Sequence, residues 1–483
     1  MIDSNIIASF FLNENPRLFK PISDDLKGRI YADLPHRYFA DVESLKLYVR
    51  DLRNLGANVL LLLPHFYPCF SEYVVKDYER PCPLFGTWEV FAEFMKFVET
   101  LGMDRMIDIP FNHADWEAEH LKRSWYKNSK NRGIEAGTDD FDANGKRVRI
   151  NWGAYELDNG NPELLQYWLE KVIFPHISDY NVNAIRIDAA WGLDPNGLAT
   201  IIKKTKEKFP YVWFVAENLG MDRLINLASS GLKAGGDRYF NNFYWYEGGR
   251  YIPSDVYRFY KRSQGKPTCN LWSSHDVLMP AMRALGVLRS ESLGKLNDKA
   301  LHRQIIERDG VKSLSQLSKD EQNNVVRLMK LDFLLAAFLS TDLMWVAGSE
   351  KCLLERVDVL RSGPNNFGLG INSDLFPFIA TVLNARGSDL FFNREGVVIP
   401  FGEWRRGRVG CKGYVKRVGR RICMVAVNND LKNSSVCPIP TLLRAENRVC
   451  EIAPYGYRSG PTSCISSSLA LEPGQGLFLY SCP

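Results

Sequence analysis

Length, composition and charge exclude several classes of protein. The chain has 483 residues, of which 45% are hydrophobic and 12% aromatic, so we expect a large globular core with one or two smaller domains rather than a fibre or a disordered chain. Its 61 basic and 56 acidic residues leave a formal charge of +5. This balance gives no reason to expect a nucleic-acid partner and favours a neutral or weakly charged substrate.

The apolar runs and the cysteines indicate the environment of the protein. No run of eighteen apolar residues occurs, so no membrane partner is expected. At the N-terminus, Asp3 precedes a short apolar patch and no basic residue leads it, which is unlike a secretory signal. Ten cysteines are present without a CxxC pair or a metal-ligand spacing to histidine. We therefore predict free thiols in a cytoplasmic protein, with disulfides near the C-terminus as the alternative.

Short apolar, β-branched runs recur along the chain and predict parallel strands. Eight such runs lie at 28–34, 57–64, 103–111, 182–188, 211–218, 237–245, 268–274 and 340–348. Between them lie amphipathic segments such as VESLKLYVRDLRNLG, several of which end at glycine as helix C-termini prefer. Eight strand–helix units predict an α/β fold of the (β/α)8 TIM-barrel type, and a doubly wound parallel sheet is the alternative.

Two segments interrupt this rhythm and a third follows it. Residues 113–159 are rich in Trp, Asp, Asn and Gly and too long for a barrel loop, which predicts a small inserted domain after strand 3. A charged, helix-prone excursion lies at about 286–335. Near residue 389 the pattern changes to alternating strands with turn residues, which predicts an antiparallel β domain. The predicted domains are the barrel at 1–112 and 160–388, the inserted domain at 113–159 and the C-terminal β domain at 389–483.

Ionisable and polar residues stand at the ends of four predicted strands. These residues are Asp108, Asn112 and His113 on strand 3, Arg186 and Asp188 on strand 4, Glu217 on strand 5, and His275 and Asp276 on strand 7. In a TIM barrel the carboxyl ends of the strands meet at one mouth, where the active site lies. Each residue alone has a structural explanation, as an ion pair, a helix cap or a loop start. Together they predict a catalytic site, because carboxylates are costly to gather in a partly desolvated mouth.

The same strand ends resemble the four short motifs of the α-amylase superfamily of glycoside hydrolases and transglycosylases. In the order of that family they are DIPFNH at 108–113, IRIDAA at 185–190, VAEN at 215–218 and SSHD at 273–276. Upstream, a further family segment is matched by Tyr73, Asp77, Tyr78, Gly86 and Thr87. The resemblance runs from about residue 28 to the C-terminus and implies the barrel, the inserted domain and the terminal β domain.

The resemblance implies a role for three carboxyl groups. Asp188 is the implied nucleophile at the anomeric carbon and Glu217 the implied general acid/base, the pair that retaining glycoside cleavage needs. Asp276 is the implied third carboxylate, which binds ring hydroxyls and disfavours ionisation of Glu217. Arg186 lies two residues before Asp188, and therefore on the same strand face, so we expect its charge to keep Asp188 ionised.

The remaining implied residues bind the substrate. His113 and His275 are expected to donate hydrogen bonds to hydroxyls of one sugar, and the ring of Tyr73 is expected to stack on it. Trp191 stands where many α-amylases have the Lys of a Lys-His pair that contacts the leaving-side sugar. We interpret Trp191 either as a residue that stacks on a sugar or as packing at the barrel rim.

Further departures from the family bear on metal binding and on the acceptor side. Gly192 replaces the His of the Lys-His pair, which helps to hold calcium in many α-amylases. Asn112, a calcium ligand in many relatives, is present. Because the His is absent, we predict no obligatory calcium ion, no other metal and no cofactor. Ser274 and Ala216 replace Asn and Gly in two motifs, and both are small enough to spare the chemistry.

These observations predict a retaining glycoside hydrolase that acts on α-glucosidic bonds of maltooligosaccharides or of glycogen- and starch-type glucans. A glucanosyl or maltosyl transferase of the same superfamily is the first alternative. A catalytically silent amylase-like protein that binds glycan or another partner is the second. The expected partner is an oligo- or polysaccharide. The sequence leaves open the linkage, endo or exo attack, chain-length preference and oligomeric state.

Overall fold

A computed structural model shows a closed barrel of eight parallel strands. It describes residues 28–68, 70–141, 147–217, 236–241, 254–263, 265–289, 303–354, 357, 371, 373–387, 393–402, 404, 409–438, 449–452 and 468–481. Barrel strands 1 to 8 are Ile30–Leu34, Val59–Leu62, Asp104–Ile109, Ala184–Ile187, Trp213–Glu217, Arg238–Asn241, Thr268–Leu271 and Asp342–Val346. Each strand pairs in parallel with the next, and strand 8 pairs with strand 1. The predicted TIM barrel is confirmed.

Helices connect the barrel strands. The α-helices are Val42–Leu55, Trp88–Thr100, Pro162–Tyr167, Phe174–Ser178, Pro195–Lys208, Ser254–Arg262, Pro280–Leu288, Lys319–Ala337 and Leu375–Gly387. Two π-helical segments lie at Trp168–Ile173 and Arg303–Arg308. Short 3-10 turns lie at His36–Tyr38, Arg123–Trp125, Ser129–Asn131, Ala190–Gly192, Leu314–Gln316 and Ser349–Lys351.

The first barrel helix shows why the sequence begins and ends a helix where it does. The Asp41 side chain accepts a hydrogen bond from the backbone N–H of Ser44 at 2.7 Å, which satisfies a free donor of the first turn. Apolar residues at helical spacing then face the core, and the buried ones are Leu45, Tyr48, Val49, Leu52 and Leu55. The helix ends at Gly56, whose φ is 120°. Residues other than glycine rarely adopt this backbone angle.

The barrel interior is filled by side chains and closed at its amino end by charges. The buried interior cluster includes Tyr31, Leu61, Met106, Val215 and Phe240, because alternate residues of each strand point inward. At the amino end, Arg238 Nη1 lies 2.7 Å from both carboxylate oxygens of Asp342. Residues at this end of a TIM barrel serve stability, so we assign the pair a structural role.

Small antiparallel sheets lie outside the barrel. Between strands 3 and 4, His113–Ala114 and Glu135–Phe141 both pair with Arg147–Glu156, within the predicted inserted domain. A hairpin that the sequence did not predict, Phe66–Pro68 with Val75–Pro81, follows strand 2. These sheets surround the carboxyl end of strand 3.

The C-terminal region forms the predicted antiparallel β domain. Its five-stranded sheet has the order Val397–Gly402, Cys411–Val418, Arg421–Asn428, Gly476–Ser481 and Val449–Ile452, and a second sheet pairs Ser435–Pro438 with Ser468–Leu471. Phe478 stacks on Phe338 beside the last barrel helices, with ring centroids 4.2 Å apart. The Tyr414 hydroxyl donates to the carbonyl of Leu335 at 2.9 Å. The domain therefore packs directly on the barrel.

Some predicted features lie outside the described residues. These are Asn218 of the VAEN motif, positions 242–245 of predicted strand 6, and 290–302 of the charged excursion. The described part of that excursion packs Pro280–Leu288 against Lys319–Ala337. Of the helices in the described ranges, none has both the length and the apolar character needed to cross a membrane.

Two buried histidines form a pair beside barrel strand 2. The Nε2 atoms of His65 and His176 lie 2.9 Å apart, and His176 Nδ1 lies 2.6 Å from the carbonyl oxygen of Val172. A carbonyl only accepts, so His176 Nδ1 donates to Val172, and a neutral His176 must accept at Nε2 from His65. Burial lowers the pKa of His176 to about 4. Burial therefore favours the neutral form of His176 in the folded protein.

The His65–His176 pair predicts an acid-sensitive contribution to stability. The folded-state pKa of His176, about 4, lies below the unfolded value of 6.5, so the unfolded chain takes up the proton first and stability falls as pH drops below 6.5. Between pH 7 and pH 5 this group should cost about 2 kcal/mol of unfolding free energy. We expect His176→Gln to have a lower unfolding free energy than the wild type at pH 7. At pH 5 the difference between the two proteins should be smaller by about 2 kcal/mol.

Urea unfolding of both proteins at pH 7 and pH 5 measures this difference. His120→Gln is the matched control, because it removes a histidine whose side chain is 50% exposed rather than buried. A difference between His176→Gln and the wild type that is the same at both pH values would contradict the assignment.

Candidate active site

The predicted catalytic residues lie together at the carboxyl end of the barrel. In the strand register, Asp108 on strand 3 lies opposite Arg186 on strand 4, and Arg186 lies opposite Val215 on strand 5. Asp188 and Glu217 each follow two residues further on, so they continue on the same inward face. The barrel register therefore brings Arg186, Asp188 and Glu217 together, with Asp108 beside Arg186.

Arg186 is the centre of the site. Its side chain is 2% exposed and contacts three carboxylates. One nitrogen, Nη1, contacts Asp108 and lies 3.1 Å from Asp188 Oδ1, while Nη2 lies 2.5 Å from Glu217 Oε1. One guanidinium thus holds both the predicted nucleophile and the predicted acid/base. Retaining glycosidases keep these two carboxyl groups roughly 5 Å apart, and a shared guanidinium is compatible with that distance.

The two alanines after Asp188 form a tight turn. Ala189 has φ 44° and ψ 40°, a left-handed conformation that is rare for residues with a side chain. Its backbone N–H donates to Glu217 Oε2 at 2.8 Å. Glu217 is therefore held on one oxygen by Arg186 and on the other by the strand-4 turn. The strained backbone of Ala189 thus holds the Glu217 carboxylate. Strained backbone is common at active sites.

Tyr73 joins the carboxylates to the histidine side of the site. Its hydroxyl donates to Asp108 Oδ2 at 2.6 Å and lies 3.0 Å from His275 Nε2. The Tyr73 and His275 rings stack with centroids 5.3 Å apart. One face of the tyrosine is therefore used within the protein, and its stacking on a sugar stays a prediction.

His275 lies between two carboxylates. Its Nδ1 lies 2.8 Å from Asp33 Oδ2, and its Nε2 lies 3.3 Å from Asp276 Oδ2. Burial lowers the pKa of His275, but the carboxylates of Asp276 and Asp33 raise it by more than this. The resulting pKa is about 10. His275 is therefore a cation at neutral pH. The Asp276 side chain is 30% exposed, so it lies nearest to solvent among the three predicted carboxyl groups.

An aromatic wall extends from the site toward the inserted sheet. The His113 ring lies 5.1 Å from Trp152, and Trp152 meets Trp191 edge to face at 6.5 Å, all between ring centroids. Burial lowers the pKa of His113 to about 4, so this ring is neutral. We call His113, Trp152 and Trp191 the aromatic wall. The structure thus gives Trp191 a packing partner, and its contact with a sugar stays a prediction.

The charge balance differs from the sequence expectation for Asp188. Burial and the neighbouring Glu217 carboxylate raise the pKa of Asp188 well above its ordinary value, although Arg186 lowers it. Burial also raises the pKa of Asp108, to about 6. These shifts oppose the expectation that the charge of Arg186 keeps Asp188 ionised. The physical reason is that Asp188 is buried beside Glu217, and that Arg186 contacts three carboxylates at once.

One residue of the site was absent from the sequence prediction, and another was named there without a role. Asp33, at the end of strand 1, is buried and holds His275. Asp108 was noted at a strand end but given no role, and it contacts both Tyr73 and Arg186. Both were detectable, because each is an acidic residue near the carboxyl end of a predicted barrel strand.

The surroundings of Asn112 bear on the prediction that no calcium ion is required. Its Oδ1 is buried without a hydrogen-bond partner, and a Cβ added at Gly192 would lie only 3.0 Å from it. One amide oxygen is far from the six to eight oxygens that calcium takes. In the described ranges Asp77, Glu119 and His120 also approach one another, but Glu119 and His120 are exposed. The predicted lack of an obligatory calcium ion therefore stays a prediction.

Comparisons with known proteins agree with this geometry. No family model matches the sequence. Probable oligo-1,6-glucosidase 3 of Bacillus subtilis (strain 168) is 25% identical over 227 residues, which are 40% of this chain and 35% of that protein. Trehalose synthase of Thermus thermophilus is 24% identical over 196 residues, which are 34% of this chain and 19% of that protein. The chain thus spans about a third or less of these curated relatives.

Solved structures match over nearly the whole chain. A maltogenic alpha-amylase from Thermotoga neapolitana has a TM-score of 0.66 at 16% identity and covers 96% of this chain and 100% of that one. An Anoxybacillus alpha-amylase has a TM-score of 0.64 at 15% identity, with 95% and 98% covered. These structures show the fold. With the ordered motifs, they show that the chain resembles the α-amylase superfamily in sequence and in architecture.

If the protein needs no calcium, chelation should leave it intact. We expect the melting temperature in excess EDTA to equal that in millimolar calcium, because Asn112 supplies only one oxygen and Glu119 and His120 are exposed. Differential scanning calorimetry measures both. A melting temperature that falls in EDTA and recovers when calcium, but not magnesium, is added would contradict this prediction.

Proposed function

We propose that the chain is a retaining glycosidase that acts on α-glucosidic bonds of maltooligosaccharides or of glycogen- and starch-type glucans. The observation that carries this proposal is the contact of Asp188 and Glu217 with one guanidinium, that of Arg186, at the mouth of the barrel. A nucleophile and a proton donor held this close can act on the two sides of one anomeric carbon. The more exposed Asp276 then lies where a sugar enters.

The first chemical step forms an ester with the protein. A carboxylate oxygen of Asp188 attacks the anomeric carbon while Glu217 gives its proton to the glycosidic oxygen, so the C–O bond breaks and the leaving sugar departs with that proton. In the second step Glu217, now a carboxylate, takes a proton from water, and the water oxygen attacks the anomeric carbon. The ester bond breaks, Asp188 leaves as a carboxylate, and the anomeric configuration is retained.

The charge interaction between Asp188 and Glu217 suits this sequence of steps. Asp188 must be ionised and Glu217 protonated when the sugar is bound, whereas in the free protein Glu217 raises the pKa of Asp188. A glycosidic oxygen beside Glu217 accepts a hydrogen bond only from the protonated acid. Substrate binding therefore favours the proton on Glu217, and Arg186 then stabilises the ionised Asp188.

Two substitutions separate the two carboxyl roles. Glu217→Gln should lower kcat on maltoheptaose by about 10²- to 10⁴-fold, because the leaving oxygen is no longer protonated. The loss should be smaller on α-maltosyl fluoride, whose leaving group needs no proton. Asp188→Asn should abolish turnover of both substrates, because no ester can form. Initial rates on the two substrates measure this difference.

Unchanged melting temperatures and retained maltoheptaose binding are the controls for both variants. Normal turnover by Asp188→Asn would contradict the mechanism. If the wild type shows no turnover on a broad panel of α-glucosides but still binds sugar, the silent glycan-binding alternative is favoured instead.

A glucanosyl or maltosyl transferase remains the second candidate, and the aromatic wall favours it. Trp152 and Trp191 contact each other beside the carboxylates and can shield an ester intermediate from water. A sugar hydroxyl would then attack in place of water. A curated relative is named a synthase and another a glucosidase, so both outcomes occur among the similar proteins.

Trp191 tests whether the wall binds an acceptor sugar. If it does, Trp191→Ala should reduce the yield of longer products from maltoheptaose by about 3- to 10-fold relative to new reducing ends, which is the worth of one aromatic contact. Chromatography of the products together with a reducing-end assay measures the ratio. If Trp191 only packs the rim, the melting temperature falls and the product ratio stays the same.

We also propose a cytoplasmic location. Four buried cysteines support it, because their side chains are free thiols: Cys82, Cys269, Cys352 and Cys423. Free, mostly buried thiols are typical of reducing compartments.

A further inference from the structure

Asp33, outside all four family-like motifs, holds a ring of the candidate active site. It ends barrel strand 1 and is fully buried. Its Oδ2 accepts two hydrogen bonds from His275, one from the backbone N–H at 3.2 Å and one at ring Nδ1 at 2.8 Å. The carboxylate therefore fixes both the position of the strand-7 loop and the rotation of the imidazole.

This double contact decides which atom of His275 faces the substrate. Because Nδ1 is bonded to a carboxylate, it carries a hydrogen, and Nε2 points to the other side. There Nε2 lies 3.0 Å from the Tyr73 hydroxyl and 3.3 Å from Asp276 Oδ2. The Tyr73 hydroxyl already donates to Asp108, so it accepts from Nε2. Both neighbours of Nε2 offer it an acceptor oxygen. Nε2 therefore also carries a hydrogen.

We propose that Asp33 is a positioning residue that keeps His275 doubly protonated, so that its Nε2–H lies between the Tyr73 hydroxyl and Asp276 and can reach a hydroxyl of the bound sugar. This inference rests on the proposed glycosidase function. In the ligand-free protein the imidazolium orients Asp276. When a sugar hydroxyl engages Asp276, the same N–H can donate to the sugar, and Asp33 still balances the ring's charge.

The surrounding charges explain why Asp33 is the constant partner. The titratable groups that act on His275 come from five elements: Asp33 on strand 1, Glu72 and Tyr73 in the hairpin, Asp108 on strand 3, Arg186 on strand 4, and Asp276 in its own loop. Burial and Arg186 lower the pKa of His275, whereas Asp276 and Asp33 raise it. Asp276 is 30% exposed and Asp33 is fully buried, so water screens Asp276 more.

The test follows the His275 ring directly and does not depend on turnover. Protein labelled with ¹³C and ¹⁵N in its seven histidines is titrated by ring NMR from pH 6 to pH 9.5, with His275→Gln used for assignment. We expect the wild-type ring to stay doubly protonated to at least pH 9, because its pKa is about 10. In Asp33→Asn one raising charge is lost, so the ring should lose its proton at a lower pH.

The same shift should appear in the kinetics. Suppose that turnover needs the His275 imidazolium. The kcat/KM of Asp33→Asn, divided by that of the wild type, should then fall at least 10-fold from pH 6 to pH 9. The reason is that His275 of the variant loses its proton as pH rises through its lowered pKa. Asp342→Asn is the matched control. It removes another buried carboxylate of the barrel, at the opposite end, and should lower stability without moving the His275 titration.

The outcomes separate the inference from the proposed function. A wild-type His275 ring that is neutral at pH 7.5 overturns the inference without any variant, and so does a titration that Asp33→Asn leaves unchanged. A shifted ring titration in a protein with no turnover on any α-glucoside would support the charge contact and overturn the glycosidase function. A kcat/KM ratio that does not change with pH, despite a shifted ring, would show that the proton is not used.

Discussion

The site depends on one constraint, which is that a single buried guanidinium must satisfy several carboxylates. Arg186 contacts Asp108, Asp188 and Glu217, and no described residue offers these groups a second cation as close. Three carboxylates around one positive charge cannot all be ionised cheaply in a desolvated mouth. Burial is the largest cause of the raised pKa of Asp188 and of Asp108, and the Glu217 carboxylate raises both further. A chemistry that needs one ionised and one protonated carboxyl group suits such a cluster.

The barrel produces this constraint from strands far apart in sequence. Parallel pairing brings Asp108 opposite Arg186, and the alternation of side chains carries Asp188 and Glu217 to the same mouth. The turn at Ala189 then gives Glu217 a backbone donor. A small residue suits this left-handed position, where a bulky or β-branched side chain would add strain. The fold therefore positions the acid through main-chain geometry as well as through charge.

The sequence predicted the barrel strands and the carboxyl groups that meet at the barrel mouth, because each lies in a short segment whose pattern is local. It failed where the property depends on a third residue. The spacing of Arg186 and Asp188 implies a pair, but the competing contacts with Asp108 and Glu217 exist only after the barrel closes. Asp33 was overlooked because it lies in a strand that otherwise appears apolar, and its partner is 242 residues away. The hairpin after strand 2 was missed because its strands, such as VKDYERP, do not alternate clearly.

The departures from the family on the acceptor side belong to one local change. At position 192 a Cβ would crowd Asn112 Oδ1, so glycine allows the 3-10 turn Ala190–Gly192 to pass close to that amide. The preceding residue, Trp191, then turns its ring toward Trp152 of the inserted sheet rather than presenting a charge to the cleft. Replacing a Lys-His pair by Trp-Gly thus exchanges polar groups that hold a sugar or a metal for an apolar surface. Under the proposed function, such a surface would favour the face of a sugar ring over water.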